Sequence, residues 1–294
     1  MSSIILRRPA RGPMVMLNIA DFEIFYFIWR WKMAPTRLIQ ISCFKNMSLH
    51  KVYVKLLRLE EYGFIEILPR AERDFIAWKL TKKGFQTLKE NSEIFRHLEC
   101  EDGFGSEHPR HDYLVTSFHL GDWCLNQPSN VQMITEQEMR RFSQKSLPEW
   151  VPPISGHRAD GYTQITTEKE TLIVAIEVEL NLKSEDDYLN VFKYYSEMKE
   201  INTVLWLVSD EKMMRNLKRF MNIRRVLNQG AHTFVMLDDY LANHWKAKTI
   251  SDLKPSVTVR NYYETILGTT PITIAEQQLN YSAHMTYFRP AKKY

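Results

Sequence analysis

Two stretches of the chain set acidic residues into apolar surroundings at strand-like spacing. The first is His157-Arg158-Ala159-Asp160-Gly161. The second is Ile173-Val174-Ala175-Ile176-Glu177-Val178-Glu179-Leu180, followed by Asn181-Leu182-Lys183. Asp160 stands at the start of a strand expected over 158–166, and Glu177 lies 17 residues later in one expected over 171–180. Adjacent strands bring such carboxylates onto one face, where hard oxygen donors suit Mg2+. A divalent ion there would activate water and stabilise phosphate charge during hydrolysis. Strand alternation puts Glu177 and Glu179 on the same face. Two acids side by side in an apolar strand are costly without a cation or a partner. The candidate metal ligands are therefore Asp160, Glu177 and Glu179. The nearby basic candidate for catalysis is Lys183, which reaches the site only if the strand ends or bulges. Glu179 reads equally as a salt-bridge partner of Arg158, Lys183 or Lys193.

The elements that must position these residues form an α/β pattern. Helices are expected over 112–125 and 135–143, the second opened by a capping box at Thr135-Glu136-Gln137-Glu138. After the two carboxylate strands come a helix over 188–199, a strand over 203–208, a helix over 211–227 and a strand over 233–237. Helix–strand–strand–helix–strand–helix–strand indicates an α/β sandwich with a mixed sheet. This domain is placed at 111–247, with a weakly periodic C-terminal extension over 248–294. A polar segment with two glycines and a proline, 93–110, reads as a linker.

The first third has a different character. Residues 1–90 hold 16 Lys and Arg against 8 Asp and Glu, a charge of +8, whereas the remainder carries −4. A basic first third on a mildly acidic body points to a polyanion-binding surface there. A basic arm, 1–17, contains Arg7, Arg8 and Arg11. Asn18 then caps an apolar run with Asp21 in its first turn, as a helix start requires. A shorter helical segment covers 37–44. Ser48 is the N-cap of a third helix, stopped by Gly63, whose apolar positions Leu49, Val52, Leu56 and Leu59 make one face. The opposite face shows Ser48, His50, Lys51, Lys55 and Arg58, with both lysines expected outward, and Tyr53 and His50 as candidates for base contacts. Strands over 64–68 and 75–80 follow, joined by Pro69-Arg70-Ala71-Glu72-Arg73-Asp74, and Thr81-Lys82-Lys83-Gly84 opens a closing helix.

This order, over 18–92, resembles a winged helix-turn-helix, which implies a recognition helix in the major groove and a wing whose Arg70 and Arg73 touch the backbone. The second domain resembles the PD-(D/E)xK nuclease-like, or restriction endonuclease-like, superfamily, with Asp160 and Glu177 as its two acids. The position of its lysine is occupied by Glu179. The combination resembles the replication-relaxation family of plasmids and other bacterial mobile elements. That resemblance rests on Arg110-His111-Asp112-Tyr113-Leu114-Val115, Ala159-Asp160-Gly161, Glu177-Val178-Glu179 and Lys193-Tyr194-Tyr195, with Ala159 in place of the family's proline. It implies double-stranded DNA as partner, with relaxase or replication proteins beside it and a homodimer as a possible assembly. The expected function is regulatory or accessory DNA binding in replication or conjugative transfer, with a degenerate nuclease-like domain. The alternative is a Mg2+-dependent endonuclease directed by the winged helix.

Other chemistries lack their residues. The chain has no GxxxxGK[ST] phosphate loop, GxGxxG, HExxH or GxSxG. Its three cysteines, Cys43, Cys100 and Cys124, are far apart and offer neither a disulfide framework nor a CxxC pair. No stretch approaches the roughly 18–20 apolar residues of a membrane span. The first residues lack the apolar core and cleavage site of a secretion signal, so a cytoplasmic protein is expected.

Overall fold

A computed structural model describes residues 4–6, 15–68, 77–97, 101–223, 232–252 and 255–268. The chain is mixed α/β and divides into two compact units. Of the described residues, the first takes those up to 113 together with 140–146, and the second takes 114–139 and those from 147 to 268.

In the first unit β1 (Ile4–Leu6) pairs antiparallel with β2 (Val15–Leu17). Helix α1 (Ile19–Trp31) starts at a full capping box: Asp21 N donates to Asn18 Oδ1 at 3.1 Å and Asn18 N to Asp21 Oδ2 at 2.9 Å. Two of the backbone donors that a helix start leaves without partners are thereby satisfied. Strand β3 (Ala34–Pro35) leads into α2 (Thr36–Cys43), and Ser48 caps α3 (Leu49–Glu61). Strands β4 (Ile65–Ile67) and β5 (Ala77–Leu80) form an antiparallel ladder, and β3 adds to the other edge of β5. The Pro69–Asp74 stretch of sequence, with Arg70 and Arg73, lies outside the described residues, as do Arg7, Arg8 and Arg11. Helix α4 (Lys82–Asn91) begins at Thr81, whose hydroxyl accepts from Gly84 N and donates to Gly63 O at 2.7 Å. Gly84 allows this closure, because a Cβ there would lie 1.9 Å from Phe64 O.

The expected linker over 93–110 is part of the first unit. It contains α5 (Glu93–His97), and its Phe95 is buried edge-on to Trp29, with ring centroids 4.7 Å apart. The Trp29 indole N–H donates to Gly103 O at 3.0 Å, and Phe104 stacks on Phe85. Polar composition concealed three aromatic or carbonyl contacts that exist only once α1 and α4 are in place.

In the chain, α6 (Pro109–Leu120) passes from the first unit into the second, where a short 3-10 turn extends it. The second unit is built on a mixed sheet of order β11-β10-β9-β8-β7-β6. Strand β6 (Val131–Thr135), absent from the sequence reading, precedes α7 (Glu136–Arg141). There Glu138 accepts from Thr135 N at 2.8 Å, as the capping box requires. Strands β6, β7 (Gly161–Thr166) and β8 (Thr171–Glu179) run antiparallel in succession. Helix α8 (Glu185–Glu197) crosses to β9 (Ile201–Val208), and α9 (Glu211–Ile223) to β10 (His232–Met236), both strands running parallel to β8. Beyond β10 come α10 (Leu237–Asn243), the short edge strand β11 (Thr249–Ile250) and α11 (Val259–Leu267). The buried residues of β8 and β9, together with Phe192 and Phe234, make this unit's core.

Candidate functional site

The carboxylates gather where β7 begins and β8 ends. Gly161 pairs with Ile176, so Asp160 stands beside Glu177 and one step from the strand's last residue, Glu179. Gly161 is needed for close packing here, since a Cβ would meet the His119 ring at 2.3 Å. Asp160 Oδ2 accepts the Val178 N–H at 2.7 Å, which ties the entry of β7 to the end of β8.

Glu177 and Glu179 are both buried, at 4% exposure, on one face of β8. Each is supplied with donors. Glu177 Oε1 accepts from His157 Nε2 at 2.6 Å and from the Tyr195 hydroxyl. Glu179 Oε1 accepts from Lys183 Nζ at 2.6 Å, and its Oε2 from the Tyr188 hydroxyl at 3.2 Å. Of the three salt-bridge partners open to Glu179 in the sequence, the structure selects Lys183. The strand ends at Glu179, and the turn Leu180-Asn181-Leu182 brings Lys183 back over it, its Nζ side still half exposed.

Electrostatics follows from this crowding. Burial pushes Glu179 up to about 7; Lys183 opposes the shift, while Glu177 and Asp160 reinforce it. For Lys183, burial works downward, but the three carboxylates prevail and its pKa is raised. His157 behaves alike: burial alone would lower it, yet the charge and hydrogen bond of Glu177, helped by Asp160, raise it. Burial raises Tyr188 and Tyr195, so both stay neutral donors. The cluster thus combines three carboxylates with a lysine, a histidine and two phenols, each carboxylate already hydrogen-bonded.

This arrangement does not fit a divalent ion as it stands. Asp160 accepts the Val178 N–H, Glu177 is held by His157 and Tyr195, and Glu179 by Lys183 and Tyr188. Among the described residues no three His, Cys, Asp or Glu side chains are grouped to hold a metal. No step through a metal is derived from this geometry.

His157, Tyr188 and Tyr195 were not assigned to the site from sequence. Tyr188 and Tyr195 are seven residues apart on α8, a separation that puts both on one helix face and both within reach of the β8 glutamates. Tyr194, their neighbour, instead donates to Pro153 O at 3.0 Å, and Lys193 lies exposed near Glu197. His111 is in the first unit beside Asp112. Burial works to raise Asp112, but His111, Lys32 and Ser106 hold its carboxyl down at about 2.

The second candidate surface is α3. Val52, Leu56 and Leu59 are buried, and Leu49, expected among them, is exposed at the first turn. Ser48, His50, Lys51 and Tyr53 are exposed. Lys55 and Arg58 are not directed outward together with them. Lys55 Nζ lies 2.5 Å from Asp21 Oδ1, and Arg58 Nη2 lies 2.9 Å and 3.0 Å from the two Asp21 oxygens. Asp21 is fully buried, so the helix spends two cations on it. An unpaired buried carboxylate would be far costlier than the loss of two surface charges.

No helix among the described residues is long and apolar enough to cross a membrane. Compared with known proteins, the chain matches no family model, no curated protein and no solved structure.

Proposed function

We propose that the chain is a double-stranded DNA-binding protein whose first unit is a winged helix-turn-helix. Its role would be regulatory or accessory in mobile-element replication or conjugative transfer, alongside relaxase or replication proteins. The observation that carries this reading is the N-terminal part of α3, around which Ser48, His50, Lys51 and Tyr53 are all exposed. A helix start of that composition places donors and a positive dipole end toward phosphate. The order α1, α2, α3 and a β4–β5 ladder completed by β3 agrees with it. The second unit is read as a nuclease-like scaffold, supported by the succession α6, β6, α7, β7, β8, α8, β9 with three antiparallel strands and a parallel fourth.

A second reading, the Mg2+-dependent endonuclease, is favoured by one observation: Lys183 reaches Glu179 at 2.6 Å and supplies the positive charge that Glu179 itself lacks. Against it stands the pairing of every carboxylate described above.

The test is an electrophoretic shift with labelled duplex. Wild type should retard it, and His50→Ala/Lys51→Ala should weaken the complex. Equal affinity of the two proteins would remove α3 from the account.

A further inference from the structure

The solvent face of α3 is not mainly charged. Around the helix, Leu57 and His50 form the centre of the exposed side, Tyr53 and Val54 flank them, and Lys51 stands at the margin. Val54 is 49% exposed and Leu57 37%. The cations that would otherwise dominate this helix, Lys55 and Arg58, are drawn to buried Asp21. Both side chains lie on the face opposite Val52, Leu56 and Leu59, outside the stripe that packs into the core.

We infer that Val54 and Leu57 recognise thymine C5-methyl groups in the major groove of duplex DNA, with Lys51 holding phosphate beside them. The inference rests on the DNA-binding reading and deepens it by naming the sequence class bound. Charge complementarity selects the occupant: exposed His50 and Lys51 stand one turn before Val54 on the same side of the helix, within a stretch whose charge is +8 over residues 1–90. Exposed Glu61 lies one turn beyond Leu57 at the C-terminal end, so a polyanion approaches from the side of His50 and Lys51 and reaches as far as Leu57. Thymine alone among the natural bases presents an apolar group in the major groove. Against a G·C edge the same side chains would desolvate donors and acceptors without replacing their bonds. The patch therefore discriminates by what it cannot bond as well as by what it covers.

The experiment uses the full chain and fluorescence anisotropy with a labelled A·T-rich duplex, and with the same duplex carrying uracil in place of every thymine. Removing a contacted methyl should weaken binding roughly fourfold, the equivalent of one buried methylene, and two contacts should compound. A G·C duplex with 5-methylcytosine in place of cytosine should bind more tightly than its unmethylated form. Val54→Ser/Leu57→Ser should bind thymine and uracil duplexes alike. Binding by wild type that ignores the methyl overturns the inference and leaves the DNA-binding reading standing. Absence of binding to every duplex overturns both. If the double variant converts a dimer to a monomer in sedimentation while wild type ignores the methyl, the patch is a protein interface. Should the variant fail to fold, the comparison of duplexes on wild type still decides.

Discussion

Lys51 and Lys55 are four residues apart on one helix, and the structure gives them different work. Lys51 is exposed at the margin of the α3 face. Lys55 keeps 14% side-chain exposure and lies 2.5 Å from a carboxylate with none. Lys51→Ala should therefore remove one phosphate contact, reducing the slope of log affinity against log salt by about 0.9. Its effect on stability should stay within roughly 0.5 kcal/mol, as for an ordinary surface site. Lys55→Ala should leave the slope unchanged. It deprives Asp21 of one charge-assisted bond, but Arg58 still holds both carboxylate oxygens at 2.9 Å and 3.0 Å. The loss is then that of a single charged hydrogen bond, roughly 1.5–3 kcal/mol, below the cost of stranding a buried ion. For a unit of this size each kcal/mol lowers the melting temperature by roughly 3–6 °C. Anisotropy titrations over a series of KCl concentrations, paired with thermal unfolding, separate the two effects. A Lys55→Ala protein with a flatter salt slope and wild-type stability would refute the Asp21 anchor and put Lys55 on phosphate.

Gly84→Ala should destabilise the first unit by roughly 1–3 kcal/mol, because its Cβ would sit 1.9 Å from the Phe64 carbonyl and backbone must move; urea unfolding at wild-type stability would contradict that packing. Glu179 has a folded pKa of about 7 against an ordinary 4.5, so the fold binds its proton more tightly than the unfolded chain does. Its contribution is present in full below about 4.5 and is lost as pH rises through about 7. Raised His157 acts in the same sense. Unfolding of wild type should thus become easier between those pH values, and Glu179→Gln should flatten the profile; parallel profiles would deny the shift. Lys183→Met should remove the opposing charge and push the Glu179 titration higher still, followed by the carboxylate carbon in NMR.

What the sequence made legible was local chemistry. Asn18 with Asp21, Ser48, Thr81, and Thr135 with Glu138 mark helix starts whose partners lie three residues away, and each forms its expected bond. Alternation placed Glu177 and Glu179 on one face of β8. The illegible parts depend on distance along the chain. Strand β3 has two residues, and its pairing comes from Ala77 and Trp78. Phe95 needs Trp29 and Phe142 to be buried, so composition read its segment as a linker. Lys55 looked outward on its own helix because its partner belongs to α1. Lys183 could not be placed without knowing that β8 stops at Glu179. His157 was visible in the sequence, but its bond to Glu177 spans 20 residues and two elements.

The proposed activity is duplex binding through the first unit without cleavage by the second. It is tested most directly by incubating the full chain with supercoiled plasmid and Mg2+ or Mn2+, then running the sample before and after deproteinisation. The expected result is a retarded plasmid that returns to the supercoiled position once protein is removed. A plasmid that is never retarded would contradict the binding claim. Nicked circles from wild type that vanish with Asp160→Ala/Glu177→Ala would contradict the second half and establish the endonuclease.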